Sequence, residues 1–163
     1  KDVAVRFGRA QVEAGADALC YGAHITGDLI RPEAYPQFLE EIDQGMEAAI
    51  GAPLIFHCCG RTLDRIGYFN TNAQTAFHFE SQNDPAEMKA LAEMVLIGNI
   101  NNPEIIRSGS CDDVRHAVFT ALDADVNIIA PECAVPLDAP MANVRAVVES
   151  VLEYSASGRE RAV

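Results

Sequence analysis

Positive charge is scarce in this chain: 12 Lys and Arg stand against 24 Asp and Glu, for a formal charge of −12. No Lys/Arg cluster exists to replace the counterions of a phosphate backbone, which argues against nucleic acid as a partner. The acidic balance serves solubility and names no partner. Long hydrophobic runs are also missing. No apolar stretch approaches the roughly 18–20 residues of a membrane span, and no secretory hydrophobic core opens the chain. The cysteines, Cys20, Cys58, Cys59, Cys111 and Cys133, are odd in number and spaced unlike a disulfide scaffold. A reducing cytoplasm is therefore expected, with Cys20 and Cys111 as ordinary thiols. No Gly-rich phosphate loop follows any apolar run, and no linker divides the 163 residues, which suffice for one domain with a substantial core. Residue 1 is Lys, and Lys1-Asp2-Val3 reads like helix interior. The expectation is that the first part of a longer protein is missing.

What is present is a regular alternation of helix and strand patterns. Val3, Phe7 and Ala10 are spaced for an amphipathic helix that Gly15 can end. Tyr35, Phe38, Leu39, Ile42 and Met46 predict one helix entered at Pro32. A short helix is expected over 62–68 and another over 85–92. Ser110 and Asp113 resemble a capping box, ahead of a buried stripe of Val114, Val118, Ala121 and Leu122. Asp138 is expected to cap a last helix with Met141, Val144, Val148, Val151 and Leu152 inside. Short apolar strands are expected at 18–21, 53–56, 76–79, 94–97 and 126–130, with Gly98-Asn99-Ile100 as a turn. Alternation of this kind implies parallel βα units with right-handed crossovers, buried on both faces. A closed (β/α)8 barrel needs about 250 residues. The chain supplies about five βα units of such a barrel over 1–154, followed by a polar tail over 155–163.

Ligand-capable residues gather at the ends of two strands. Pro53-Leu54-Ile55-Phe56 runs into His57-Cys58-Cys59-Gly60, and Val126–Ala130 runs into Pro131-Glu132-Cys133. Parallel α/β sheets place their ligand sites at the rim where strands end. His57 and Cys59 are two apart, so in extended backbone both point to one side and Cys58 points away into packing. Gly60 lets the chain turn. With Cys133 they form an imidazole and two thiolates, the donors of a zinc site with an open position. Glu80, at the end of the third strand, is either the exchangeable fourth ligand or a solvated neighbour. His24, after the first strand, and Tyr21, at its end, are candidates for substrate contact, although a loop His held by backbone is the plainer reading. His78 and His116 carry no functional expectation.

The same residues carry a resemblance. His57-Cys58-Cys59-Gly60 is similar to the HxCG element of methylcobalamin:coenzyme M methyltransferases, a family within the uroporphyrinogen decarboxylase superfamily of (β/α)8 barrels. Ala130-Pro131-Glu132-Cys133-Ala134-Val135-Pro136, with Pro140 and Asn143-Val144-Arg145-Ala146, resembles that family's C-terminal Cys loop and last helix. The segments Gly15-Ala16-Asp17-Ala18, Gly27-Asp28-Leu29-Ile30-Arg31-Pro32-Glu33 and Gly98-Asn99-Ile100 are also similar. The likeness spans nearly all of the chain but only the C-terminal half of a family member. Two departures stand out: Glu132 and Ala134 flank the Cys where Gly is common, and Ala23-His24 replaces an Asp-His pair.

The resemblance implies that His57, Cys59 and Cys133 bind Zn2+ and that Glu80 is the acidic residue near the metal. It implies a cytoplasmic enzyme that moves a methyl group from methylcobalamin, or a corrinoid carried on a partner protein, to a small thiol such as coenzyme M. A thiolate would attack the methyl carbon and cobalt(I) would leave. It also implies a missing N-terminal half or a homodimer, because a half-barrel leaves two sheet edges open. A uroporphyrinogen decarboxylase-like enzyme and a non-catalytic half-barrel that binds zinc or a corrinoid protein are the alternatives. The first of these needs cationic groups at the rim, where Arg61 is the obvious one.

Overall fold

Five short apolar runs become strands: β1 (Leu19–Ala23), β2 (Leu54–Cys58), β3 (Ala76–His78), β4 (Val95–Ile100) and β5 (Ile128–Pro131). They form one parallel sheet in the order β1-β2-β3-β4-β5, in a computed structural model that describes residues 1–158. The order never reverses, so right-handed crossovers stack the helices on one face and the sheet follows the course of a (β/α)8 barrel. Register ties the sheet together, with Phe56 opposite both Tyr21 and Phe77, and His57 opposite His78.

Alternation along β2 sends Leu54, Phe56 and Cys58 into the helix layer, while Ile55 and His57 face the other side. Phe56 packs edge-on against Phe69 at 4.9 Å between ring centres, and Phe69 against Tyr35 at 5.2 Å. Met88, Leu96, Ala121 and Val126 complete this core. The helices are α1 (Asp2–Glu13) before β1, α5 (Ile66–Asn70), α6 (Pro85–Leu91) and α7 (Cys111–Asp123) in the crossovers, and α8 (Met141–Ala156) after β5, plus three short pieces between β1 and β2. The capping box at Ser110 and Asp113 is present, and all four residues of the expected α7 stripe are buried.

Several expectations fail for identifiable reasons. The single helix after Pro32 is three pieces, α2 (Ala34–Phe38), α3 (Glu40–Asp43) and α4 (Met46–Ile50). The breaks bring Asp43 into the interior, where its two carboxylate oxygens each accept a tyrosine hydroxyl, from Tyr21 and Tyr35, at 2.7 Å. Gly98 and Asn99 belong to β4 and not to a turn. Gly is needed there because a Cβ at position 98 would sit 2.6 Å from the Phe79 carbonyl oxygen.

The last helix is rotated from its expected inner face. Asn143, Ala146, Val147, Ser150 and Tyr154 are buried, whereas Met141, Val148 and Leu152 are exposed. Polar groups set this rotation. Asn143 Nδ2 donates to the carbonyls of Ile106 and Gly109, and the Tyr154 hydroxyl donates to Asp123. Those carbonyls belong to and follow an unforeseen π-helical turn over Asn102–Arg107. Asp138 does not cap α8; it pairs with Arg107 at 2.7 Å, and Pro140 holds the cap position. The helix takes in Ser155 and Ala156 from the expected tail, and residues 159–163 of that tail lie outside the described residues.

Candidate metal centre

Four ligand atoms from three strand ends meet at one point on the rim. His57, Cys59, Glu80 and Cys133 each offer a donor atom, and all lie within 4.8 Å of one another. β2 supplies the first two: His57 is the last residue of its face, and Cys59 stands one step beyond the strand. Cys59 Sγ is 3.3 Å from His57 Nε2 and 3.8 Å from Cys133 Sγ. Gly60 then turns the chain at φ 73°, where a Cβ would overlap Thr26 Oγ1. Its N–H donates to Glu80 Oε2 at 2.6 Å, which aims the carboxylate into the group. Cys58 is fully buried on the opposite face, and burial pushes its thiol up to about 11.

His57 is held in a defined tautomer. Its Nδ1 lies 3.1 Å from the His78 carbonyl oxygen, which can only accept, so Nδ1 carries the proton and Nε2 presents its lone pair. The His78 ring lies tilted beside His57, with 4.6 Å between ring centres, and its Nε2 reaches the Pro131 carbonyl at 2.9 Å. Desolvation lowers the His78 pKa, in keeping with a neutral ring that serves as a donor here.

Electrostatics make the group ask for a cation. Burial, then the Glu80 charge, then Cys133 push the Cys59 thiol up to about 12. Two sulfurs and a carboxylate crowded together cannot all ionise unless positive charge joins them. Two thiols, one oriented imidazole and one carboxylate fit the donor chemistry and number of zinc.

Side chains that sequence reasoning passed over hold the frame. Asn83 Oδ1 accepts from the Thr62 N–H at 2.7 Å, and its Nδ2 donates to the carbonyls of Gly60 and Glu80. It thus locks the turn after Cys59 to the loop that carries Glu80. Glu132 does the same for Cys133 through Ser81 and Asn102. No spacing rule picks out Asn83, Glu132 or His78, because their partners are carbonyls and amides that only the register brings near.

The remaining candidates lie elsewhere. Tyr21 shares the helix-facing side of β1 with Phe56 as its stacked neighbour, and its hydroxyl is taken by Asp43, so the structure does not bring it to the cluster. His24 is exposed on the loop after β1 and is not one of the four. His116 is exposed on α7. Arg61 pairs with Asp28. The nearby Arg65 is fully buried, with its guanidinium donating to the carbonyls of Ile25 and Ile30. Among the described residues, no helix is long and apolar enough to cross a membrane.

Comparison with known proteins agrees with this fold. The uroporphyrinogen decarboxylase family model matches residues 1–154. The chain is 27% identical over 164 residues to the methylcobamide:CoM methyltransferase MtaA of Methanosarcina barkeri, taking in 95% of this chain and 47% of that protein. It is 26% identical over 165 residues to the methylcobamide:CoM methyltransferase MtbA of Methanosarcina acetivorans, taking in 94% and 47%. A solved methyltransferase from Methanosarcina mazei superposes with a TM-score of 0.91 at 23% identity, over 94% of this chain and 47% of that one, a likeness of fold. The chain spans about half the length of the curated relatives it matches.

Proposed function

The chain belongs to the uroporphyrinogen decarboxylase family, and within it we propose that its rim cluster is the zinc-binding half of a corrinoid-to-thiol methyltransferase. The convergence of two thiols, an imidazole and a carboxylate within 4.8 Å carries this reading. The names of the relatives, methylcobamide:CoM methyltransferases, support the methyl donor and the acceptor class. His57, Cys59 and Cys133 would hold the ion, and Glu80 would be its exchangeable fourth partner. When bound, zinc lowers the pKa of an acceptor thiol and fixes its thiolate in place.

The chain's own residues supply position. The His78 carbonyl takes the Nδ1 side of the His57 ring and leaves Nε2 aimed at the site. The Gly60 N–H keeps one Glu80 oxygen and leaves the other for the site. Cys133, exposed at the rim, leaves the centre open to a large donor. A corrinoid would supply the methyl group, and these residues would hold the acceptor sulfur in one place to receive it, so fixed placement would carry much of the catalysis. No general base is required of these residues. His24 is proposed to contact substrate at the same rim, with a corrinoid-carrying protein as partner. The cytoplasm is the proposed setting. A decarboxylase would need free cations for its acid substrate, and of the arginines that follow Gly60 in the chain Arg61 is paired with Asp28 and Arg65 is buried.

X-ray absorption on the zinc-loaded chain tests the proposal. One zinc with two sulfur ligands, rising to three on addition of coenzyme M, is expected. Methyl transfer from methylcobalamin to coenzyme M by the chain joined to its complementary half separates an enzyme from a binding module. Four fixed ligands unchanged by the thiol would overturn thiol activation.

A further inference from the structure

Glu132 stands next to an exposed thiol, yet its own side chain is buried, at 7% exposure. Its carboxylate collects three donors from two other loops. Oε2 accepts from the Ser81 N–H at 2.9 Å and the Ser81 hydroxyl at 2.5 Å. Oε1 accepts from the Asn102 N–H at 3.1 Å. Its own N–H donates to the Ile100 carbonyl at 3.0 Å, the last rung beside β4. Cys133 follows at once, beyond the end of β5, with no strand of its own to hold it.

These bonds have a direction. Ser81 is the residue after Glu80, and Asn102 opens the π-helical turn beyond β4. A carboxylate that accepts main-chain N–H bonds makes charge-assisted contacts, roughly twice as strong as neutral ones. The side chain therefore crosses from β5 over β4 to the loop after β3, and joins the carrier of Cys133 to the carrier of Glu80. The Pro131 carbonyl, one residue earlier, is held by His78 Nε2. Two successive residues before Cys133 are thus fastened to the β3 end, the same segment whose His78 carbonyl orients His57.

We infer that Glu132 is the positioning residue of this centre: through Ser81 and Asn102 it holds Cys133 Sγ within reach of Cys59. The inference rests on the metal-binding reading above and extends it by naming what sets the place of the third ligand. Glu132 touches neither metal nor substrate.

Two measurements on the 163-residue chain, made on the parent, Glu132→Ala and Glu132→Gln, test it. The first uses cobalt(II) as the probe and reads its thiolate charge-transfer band. Glu132→Ala is expected to bind cobalt about 10–100-fold more weakly and to show a single-thiolate band. Glu132→Gln keeps an acceptor oxygen and recovers part of both. The second needs no metal. In a glutathione buffer, two protein thiols and one glutathione disulfide give a Cys59–Cys133 disulfide and two glutathione thiols. The equilibrium constant of that exchange reports how closely the two sulfurs are held, and Glu132→Ala is expected to lower it by roughly tenfold.

Ser81→Ala removes one of the three donors to Glu132, along with the acceptor of Asn101 Nδ2, and serves if Glu132→Ala fails to fold; it should move both readouts the same way by less. A folded variant with the parent's cobalt band and thiol equilibrium overturns the assignment. A parent that binds no cobalt, but whose disulfide equilibrium still depends on Glu132, leaves the assignment standing and sinks the metal reading. A parent that binds cobalt through two thiolates regardless of Glu132 does the reverse.

Discussion

At the scale of single residues, neighbours in sequence have opposite fates. Cys58 is buried in the helix layer while Cys59 points into the cluster. Cys59→Ser and Cys133→Ala should each strip most of the zinc from the chain, read as metal per chain after dialysis. Cys58→Ala should keep its zinc and lose only packing, about 1 kcal/mol. Equal metal content in all three would sink the ligand assignment. The Asp43 pair of tyrosines gives a second residue-level test. Burial first, and Asp43 next, push the Tyr21 and Tyr35 phenols above their ordinary value of 10.0. The unfolded chain then loses those protons before the folded one does. This contribution to stability is complete below pH 10 and falls as pH rises beyond it. Tyr35→Phe should flatten that alkaline slope in urea titrations. Asp43→Ala should cost about 1–3 kcal/mol at neutral pH by leaving the buried Tyr35 O–H without an acceptor, although Asn72 Nδ2 still donates to its oxygen. The period-2 rule made the Cys58 and Cys59 contrast legible in the sequence. It could not reveal Asp43, because a carboxylate on a helical pattern reads as solvent-facing until its two partners are known.

At the scale of elements, the sequence was clearest where polar and apolar signals agreed. In α7 the capping box fixes the start and four apolar residues fix the face, and both are as expected. In α8 the signals conflict. Hydrophobicity favours Met141, Val148 and Leu152 inside, but Asn143 satisfies buried carbonyls that those residues could not, and the buried Tyr154 ring keeps its hydroxyl on the exposed Asp123. Satisfying buried carbonyls won over covering more apolar surface, since an unpaired buried group costs about 1–3 kcal/mol. The contest can be measured by chemical denaturation. Asn143→Leu, which the apolar reading would favour, should destabilise by about 2–3 kcal/mol. Val148→Lys, which that reading would forbid, should stay within about 0.5 kcal/mol. The opposite ranking would restore the face read from hydrophobicity. The broken helix between β1 and β2 fails in the same way, through a buried polar group that periodicity does not see.

At the scale of the whole molecule, regular alternation and length made a partial parallel barrel legible, and the sheet order confirms it. What the alternation could not tell is where apolar surface would be left uncovered, since that depends on which faces the described elements cover. Val3 and Phe7 of α1 are 82% and 66% exposed, beside the open edge of β1. Ile128 on β5 and Leu152 on α8 are 51% and 64% exposed at the other end of the sheet. Between them the inward face shows Cys20 and Val95 to solvent. Among the described residues both outer strands have an unpaired parallel edge flanked by apolar helix faces, a template for further pairing. The chain alone should therefore associate, with sedimentation coefficients that rise with concentration over the micromolar range. Val3→Glu with Phe7→Glu removes apolar surface at one end without touching the core, and should shift the distribution toward monomer while the far-ultraviolet spectrum stays unchanged. Adding the complementary half of the barrel should do the same by filling both edges, and should raise zinc affinity if the closed rim steadies the Cys133 loop. A chain that sediments as one monomer at every concentration, with a single cooperative unfolding transition, would mean that this half-barrel closes its edges by some means other than pairing.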